Sequence, residues 1–184
     1  SLSKDMKVRA ADLERILRFF LKRYDILTMQ EAALRLRSGT LQRSAVVLTM
    51  DDGYVDNLTH LAPLLEQLGV RATVYVETRA VTERRLNWTH SLFLLLDHLG
   101  HEAFVARYCA LANDADGVAK LQAVLQQQGG STYHIKRVLK YEVQRLDRER
   151  VLEALMQAER LDGRALCDTL YMTWDQAREL HRRG

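Results

Sequence analysis

One segment, residues 44–54, constrains the fold of this chain more than any other. Its run of β-forming apolar residues predicts a buried strand over 45–50. The run ends in two adjacent carboxylates, Asp51 and Asp52, which are followed by Gly53. A buried, unpaired carboxylate is costly to desolvate, and ligands of α/β folds bind beyond the carboxyl ends of the strands. The segment therefore predicts an α/β fold with a functional site at the acidic strand end.

The residues that follow complete a βαβ unit. Leucines at helical spacing predict a helix over 55–68, closed by Gly69, and β-forming residues predict a second strand over 71–76. Because strand, helix and strand follow one another within about thirty residues, we expect parallel strands joined by a right-handed crossover.

Helical patterns flank this unit on both sides. We expect capping boxes at Thr28–Glu31 and Thr173–Gln176, because a hydroxyl and a carboxylate or amide three residues apart satisfy each other's backbone donors. The predicted helices cover residues 10–24, 29–37, 88–99, 102–111, 117–128, 132–142, 148–160 and 174–183. Asp147 is expected to cap the 148–160 helix, and Gly129-Gly130-Ser131 to form a turn.

Composition and motif content argue against several classes of protein. The net charge of +3 comes from scattered basic residues, and no motif of a nucleic-acid-binding fold is present. No apolar run reaches the length of a transmembrane helix. Cys109 and Cys167 lack the spacing of a zinc site and are expected to be free thiols. We therefore expect neither a nucleic-acid partner nor a transmembrane segment.

Adjacent carboxylates at a strand end suit two different roles. Because neighbouring side chains on a strand point to opposite sides, one carboxylate can bind a divalent metal while the other takes a proton from the bound water. Gly53 would allow a sharp turn there. The same triplet also occurs in plain turns, so the triplet alone does not decide between a turn and a site.

The wider pattern is more specific. Thr49-Met50-Asp51-Asp52-Gly53-Tyr54, a helix carrying Pro63-Leu64-Leu65, and the strand Arg71-Ala72-Thr73-Val74-Tyr75-Val76 together resemble the polysaccharide deacetylase (NodB-homology) family, carbohydrate esterase family four. The family's first motif is Thr-Phe-Asp-Asp-Gly, and Met50 stands here in place of its Phe. Residues 171–184 are similar to the helix that leads into the family's second motif.

The resemblance implies part of a distorted (β/α) barrel with a large helical insertion. Residues 1–80 would form the N-terminal part of the barrel, residues 81–168 the insertion, and residues 169–184 the return to the barrel. It also implies a hydrolase that acts on carbon–nitrogen bonds other than peptide bonds, removing N-acetyl groups from the amino sugars of a polysaccharide or glycan precursor.

The resemblance also implies roles for individual residues. Asp51 matches the catalytic base, Asp52 matches the metal-binding aspartate, and Tyr54 would line the substrate groove. The expected cofactor is a divalent metal, with zinc as the expected ion, which activates water and polarises the acetyl carbonyl.

The family's histidine ligands have no match in this chain. A catalytic zinc needs about three protein ligands, and the family supplies two of them from a His-Ser/Thr-x-x-His motif. We expect that motif and the general-acid histidine beyond Gly184, and we expect the 184-residue chain alone to be inactive. His98-Leu-Gly-His101 has a similar spacing but lacks the hydroxyl residue, which favours a helix terminus.

Two functions therefore stay open. The first is a metal-dependent carbohydrate N-deacetylase that is incomplete in this chain. The second is a non-catalytic deacetylase-like module, in which the helical insertion binds a partner or mediates self-association. Localisation is open between cytoplasmic and exported.

Overall fold

Helices dominate the part of the chain that the computed structural model describes, residues 8–128 and 131–184. The predicted turn at 129–131 lies partly outside these residues. In chain order the elements are α1 (Ala10–Leu21), β1 (Asp25–Leu27), α2 (Met29–Ser38), β2 (Ala45–Val47), β3 (Thr49–Met50), a π-helical segment (Asn57–Leu61), α3 (Ala62–Leu68), β4 (Thr73–Val74), α4 (Thr78–Glu83), α5 (Trp88–Leu99), α6 (His101–Leu111), α7 (Ala115–Gln128), α8 (Thr132–Tyr141), α9 (Arg145–Ala158), α10 (Gly163–Leu170) and α11 (Trp174–Arg182).

The described residues divide into two compact units. Residues 8–85 and 166–184 form one of them, named here the α/β unit because it contains all the described strands. Residues 86–165 form the other, named here the helical unit. No helix of the described residues is long and apolar enough to cross a membrane.

The strands of the α/β unit form two parallel pairs. β1 pairs with β2, so that Ile26 lies opposite Val46, and β3 pairs with β4, so that Met50 lies opposite Val74. The predicted parallel pairing across the 55–68 helix is therefore confirmed. Among the described residues these pairs do not close into a barrel, and the barrel and its helical insertion stay predictions.

The predicted strand over 45–50 is neither continuous nor fully buried. It breaks at Leu48 into β2 and β3, and every residue of β2 is half-buried. The chain changes partner at this break, because β2 pairs with β1 whereas the Leu48 carbonyl accepts from the Thr73 amide, 2.9 Å away, at the start of β4. The second strand shrinks from the predicted 71–76 to Thr73–Val74.

The start of the predicted 55–68 helix has an irregular register. Asn57–Leu61 is π-helical, and only Ala62–Leu68 is regular α-helix. Isolated π-helical turns inside helices are rare and concentrate at functional sites. The π-helical segment of this chain begins four residues after Gly53, and residues 54–56 separate it from the acidic turn.

The α/β unit packs around a small apolar cluster. Leu17 of α1 meets Leu61, Leu65 and Val70, which come from the helix and loop between β3 and β4. The predicted apolar face of α1 is only partly used, since Ile16 keeps 45% of its surface exposed.

Helix boundaries follow their capping residues closely. At α2 the Thr28 hydroxyl accepts from the Glu31 amide at 3.2 Å, and the Glu31 carboxylate accepts from the Thr28 amide at 2.9 Å. The same reciprocal pair joins Thr173 and Gln176 at 3.2 and 2.8 Å. Both predicted capping boxes are therefore confirmed.

The predicted cap at Asp147 is wrong. α9 begins at Arg145, so Asp147 lies inside its first turn. Its carboxylate instead accepts from the backbone amides of Asn113 and Asp114, at 2.9 and 3.1 Å. These donors lie more than thirty residues away in the chain, so local sequence could not identify them.

The helical unit is built around one large apolar core. Leucines at helical spacing in α5 and α9 are buried there together with Phe104 and Tyr108 of α6. Buried Arg148 lies inside this core, with its guanidinium carbon 4.1 Å from the centre of the Trp88 ring. Burial lowers the pKa of Arg148, and the Leu139 carbonyl accepts one of its N–H groups at 3.0 Å. Trp88 is thus an aromatic anchor for a helix, as its position at the start of α5 predicts.

Candidate functional site

The acidic pair lies in a tight turn directly after β3. The Gly53 amide donates to the Asp51 carbonyl at 2.9 Å, which closes a three-residue turn around Asp52. Asp52 has a φ of 69°, a left-handed conformation that costs a non-glycine residue about 1 kcal/mol or more. The residue that follows β4 holds the start of the turn, since the Tyr75 amide donates to the Met50 carbonyl at 2.7 Å. Backbone strain is therefore concentrated on one of the two predicted site residues.

Gly53 is required by this turn for two reasons. Its φ is 71°, and a Cβ at this position would lie 3.0 Å from Cγ1 of Val76 and 3.3 Å from its Cα. The second contact involves backbone, which cannot rotate away. The sharp turn predicted at Gly53 is therefore present, and the close approach of Val76 fixes the glycine there.

The two carboxylates have different surroundings. Asp51 is exposed, and its side chain makes no hydrogen bond or ion pair with another described residue. Asp52 is half-buried, and its Oδ2 accepts from the Tyr54 hydroxyl at 2.8 Å. The carboxylate of Asp52 is therefore held by a neighbouring side chain, whereas that of Asp51 is not.

Tyr54 is a hydrogen-bond donor at this site. Its burial raises the pKa of its hydroxyl, and the hydrogen bond to the Asp52 carboxylate raises that pKa further. Both effects favour the neutral phenol, which keeps its proton for Asp52. The resemblance implies that Tyr54 lines a substrate groove, which stays a prediction; in the structure its hydroxyl contacts the carboxylate of Asp52.

A segment distant in sequence supports the turn from behind. Tyr54 and Tyr171 form an antiparallel bridge, with ring centres 5.3 Å apart. The Met172 amide donates to the Gly53 carbonyl at 3.0 Å, and the Val55 amide donates to the Leu170 carbonyl at 2.8 Å. Sequence analysis missed this pairing because a single bridge has no periodicity along the chain.

Arg84 holds the supporting segment in place. Its guanidinium donates to the Asp168 carboxylate at 2.7 Å and to the carbonyls of Cys167 and Met172 at 3.1 and 3.3 Å. Only 15% of its side chain is exposed. From sequence alone, the adjacent pair Arg84-Arg85 predicts two exposed, solvated side chains. For Arg84 this prediction is wrong.

The described residues do not by themselves fit a catalytic zinc. Such a site needs about three protein ligands, and no group of three His, Cys, Asp or Glu side chains able to hold a metal is gathered within residues 8–128 and 131–184. Asp52 could supply one oxygen ligand, since its carboxylate has a second oxygen besides the one that Tyr54 contacts.

Three of the six histidines contact side chains other than Asp51 and Asp52. His98 lies 3.4 Å from a Glu159 carboxylate oxygen, and His101 shares a hydrogen bond of 2.8 Å with the Thr132 hydroxyl. His60 is likewise hydrogen-bonded to its neighbour Thr59. The assignment of His98 and His101 to a helix terminus agrees with these contacts.

A groove of about 750 Å³ lies in the α/β unit, along β4. Residues of β4, α2, α3 and α11 line it, and the carboxylate residues Asp51 and Asp52 are not among them. Asn57 also lines it, with only 6% of its surface exposed and an amide nitrogen that has no hydrogen-bond partner among the described residues. Val76 and Met172, which contact the acidic turn at Gly53, also line the groove, so the two features adjoin.

Comparison with known protein families gives one match. A family model described as polysaccharide deacetylase matches residues 38–137, which is more than half of the 184 residues. The matched range includes the acidic turn and extends through α5, α6 and α7 into α8. No curated protein and no solved structure matches the chain.

Proposed function

Because the chain belongs to the polysaccharide deacetylase family, we propose that it serves the hydrolysis of N-acetyl groups on the amino sugars of a polysaccharide or glycan precursor. The observation that carries this proposal is the acidic turn inside the matched range, where a free carboxylate and a restrained one lie side by side. An N-acetylated carbohydrate is the corresponding substrate, and the reaction breaks a carbon–nitrogen bond other than a peptide bond.

Asp51 is proposed as the catalytic base. Its carboxylate is exposed and makes no hydrogen bond or ion pair with another described residue, which supports its acting as acceptor of a proton from an attacking water. The water oxygen then bonds to the acetyl carbon, the carbon–nitrogen bond breaks, and the amine leaves with a proton while acetate is released. The hydrogen bond from the Tyr54 hydroxyl holds the Asp52 carboxylate beside this base.

Asp52 is proposed as the metal-binding aspartate. Members of the family are generally metal-dependent, and zinc is the proposed ion. The remaining ligands are proposed to come from outside the described residues, since these gather no set of three. On the same ground we propose that the 184-residue chain alone does not turn over.

The barrel and its insertion are proposed together with this function. Parallel pairing of β3 with β4 across α3 supports a (β/α) barrel that contains residues 1–80 and 169–184. The separate packing of residues 86–165 supports an insertion over 81–168.

A pair of variants tests the roles of the two carboxylates. In the protein encoded by the complete reading frame, we expect Asp51→Asn to lower acetate release from chitooligosaccharides by about 100-fold or more while zinc binding is kept. Asp52→Ala should lose zinc binding, measured by calorimetry. The control is Asp175→Asn, whose carboxylate belongs to a side chain that is 93% exposed.

Three outcomes contradict parts of the proposal. Equal loss of zinc in both variants would show that the two roles are assigned wrongly. Acetate release by the 184-residue chain would contradict its inactivity. Absence of release by the complete protein, under conditions where zinc binds, would contradict deacetylation itself.

The second candidate is a non-catalytic deacetylase-like module that binds a partner or associates with itself through the helical unit. It is favoured by one observation, namely that the described residues gather no three-ligand metal group. Glycan binding without acetate release by the complete protein would support it.

A further inference from the structure

One helix of the helical unit carries an aromatic and basic surface that the proposed chemistry does not use. Its members are Tyr133, Arg137, Lys140 and Tyr141, named here the α8 stripe. Tyr133 is 70% exposed and Tyr141 is 68% exposed, and both basic residues are exposed as well. The opposite face of α8 is buried in the core of the helical unit through Ile135, Val138 and Leu139.

Helix geometry places these four side chains on one face. At 3.6 residues per turn they fall within an arc of about 100°, and the two tyrosines are separated by about 12 Å along the axis. Each turn of this face therefore presents an aromatic ring, a cation or both.

The stripe is positive and has no acidic residue of its own. α8 contains no Asp or Glu, and neither Arg137 nor Lys140 forms an ion pair with another described residue. Lys140 lies 5.0 Å from the centre of the Tyr141 ring, in a cation–π contact. The nearest carboxylate along the chain, that of Glu142, is bound by Lys120 at 2.8 Å, and its attraction to Arg137 acts beyond ion-pair distance. The cations of the stripe are thus open to an external anion.

We propose that the α8 stripe binds an anionic glycan chain, with sugar rings stacked on Tyr133 and Tyr141 and carboxylates paired with Arg137 and Lys140. Tyrosine suits this task because its ring offers an apolar face while its hydroxyl stays hydrated. The choice of a glycan as the occupant rests on the proposed function. The surface lies in the helical unit.

Other anionic partners fit the stripe less well. A helix that inserts into a membrane surface needs exposed aliphatic side chains, and the exposed large apolar residues of α8 are the two tyrosines alone. Nucleic-acid binding relies on many phosphate contacts, whereas the stripe contributes two cations and the whole chain carries a net charge of +3.

Binding to hyaluronan oligosaccharides, which alternate N-acetylated and carboxylated sugars, tests the proposal by calorimetry. We expect binding that weakens in about 1 M NaCl, where the Debye length falls to about 3 Å. Tyr133→Ala with Tyr141→Ala, and separately Arg137→Gln with Lys140→Gln, should each weaken it about tenfold or more. Neutral chitooligosaccharides should lose affinity with the tyrosine pair and not with the basic pair.

The control is Arg164→Gln, an exposed arginine of α10 that should leave binding unchanged. Circular dichroism should show unaltered helix content in all variants, because the four side chains are exposed. Unchanged hyaluronan binding in both double variants, or no binding by the wild-type protein, would overturn the proposal. Tighter binding to phosphatidylglycerol vesicles or to duplex DNA would also overturn it. The assay needs no turnover, so hyaluronan binding by a complete protein that releases no acetate from chitooligosaccharides, under conditions where zinc binds, would contradict the proposed function alone.

Discussion

At the scale of single residues, Gly53 shows how little freedom the acidic turn has. We expect Gly53→Ala to lower the free energy of unfolding by about 3 kcal/mol, because the new methyl group meets the Val76 backbone and φ stays positive. Urea denaturation followed by circular dichroism would measure the change.

Gly39 provides a matched control for this substitution. Its φ of 67° is close to that of Gly53, but a Cβ there would have no atom within 4 Å. Gly39→Ala should therefore cost only the conformational part, about 1 kcal/mol. Equal losses in the two variants would show that the Val76 contact contributes nothing.

The sequence locates the acidic turn but not the residues that support it. Asp51, Asp52 and Gly53 are adjacent, so one motif identifies all three. Arg84 contacts Cys167, which lies 83 positions away in the chain, and Tyr171 contacts Tyr54, which lies more than a hundred positions away. No local sequence pattern marks either residue. The resemblance identifies Tyr54 as a site residue. Its hydrogen bond to Asp52 depends on the left-handed turn, which the sequence does not specify.

At the scale of elements, one carboxylate joins the starts of two helices. Asp114 accepts from the Gly117 amide of α7 and from the Gln144 amide just before α9, each at 3.0 Å. These two backbone donors hold the pKa of Asp114 below its usual value. The ends of α7 and α9 therefore depend on the charge of one side chain.

We expect Asp114→Ala to lower the free energy of unfolding by about 2 kcal/mol at pH 7, since each lost cap costs about 1 kcal/mol. The lowered pKa means that this contribution is present above the unfolded-state pKa of about 4 and is lost as the pH falls through the folded-state value. Urea denaturation at pH 7 and at about pH 2 should thus show a smaller difference between wild type and variant at the acidic pH.

Asp116 is the matched control for this prediction. It is an exposed aspartate in the first turn of the same helix, and Asp116→Ala should cost about 0.5 kcal/mol. A difference between wild type and Asp114→Ala that does not change with pH would contradict the capping role of the carboxylate.

Sequence patterns predict the helices better than the strands, for a physical reason. Capping boxes and helical periodicity extend over ten or more residues, and Trp88–Leu99 is found at its predicted limits. Strands of two or three residues are too short to show alternation of apolar and polar residues. The sequence therefore gives no signal for β1, and the strand predicted over 45–50 is longer than the observed strands. The π-helical segment has the same apolar spacing as a regular helix, so the sequence does not distinguish the two.

At the scale of the molecule, Arg84 joins the two stretches of chain that make up the α/β unit. We expect Arg84→Met to lower the free energy of unfolding by about 2–3 kcal/mol, because it leaves the Asp168 carboxylate and two carbonyls without their donor. Limited proteolysis should then cut residues 166–184 faster than in the wild type.

Arg178→Met is the control, because its ion pair with Asp175 is exposed and such pairs contribute about 0.5 kcal/mol. Proteolysis that is equally slow in both variants would show that the backbone pairing at Tyr54 and Tyr171 holds the segment without Arg84.

The division of the α/β unit between residues 8–85 and 166–184 has a consequence for synthesis on the ribosome. At about 5–20 residues per second, roughly 5–20 s pass between the emergence of the first stretch and that of the second. The helical unit, which is continuous in sequence, can fold in that interval. The acidic turn meanwhile lacks Tyr171 and Met172 as partners. The acidic turn therefore gains these two partners only after the second stretch has emerged.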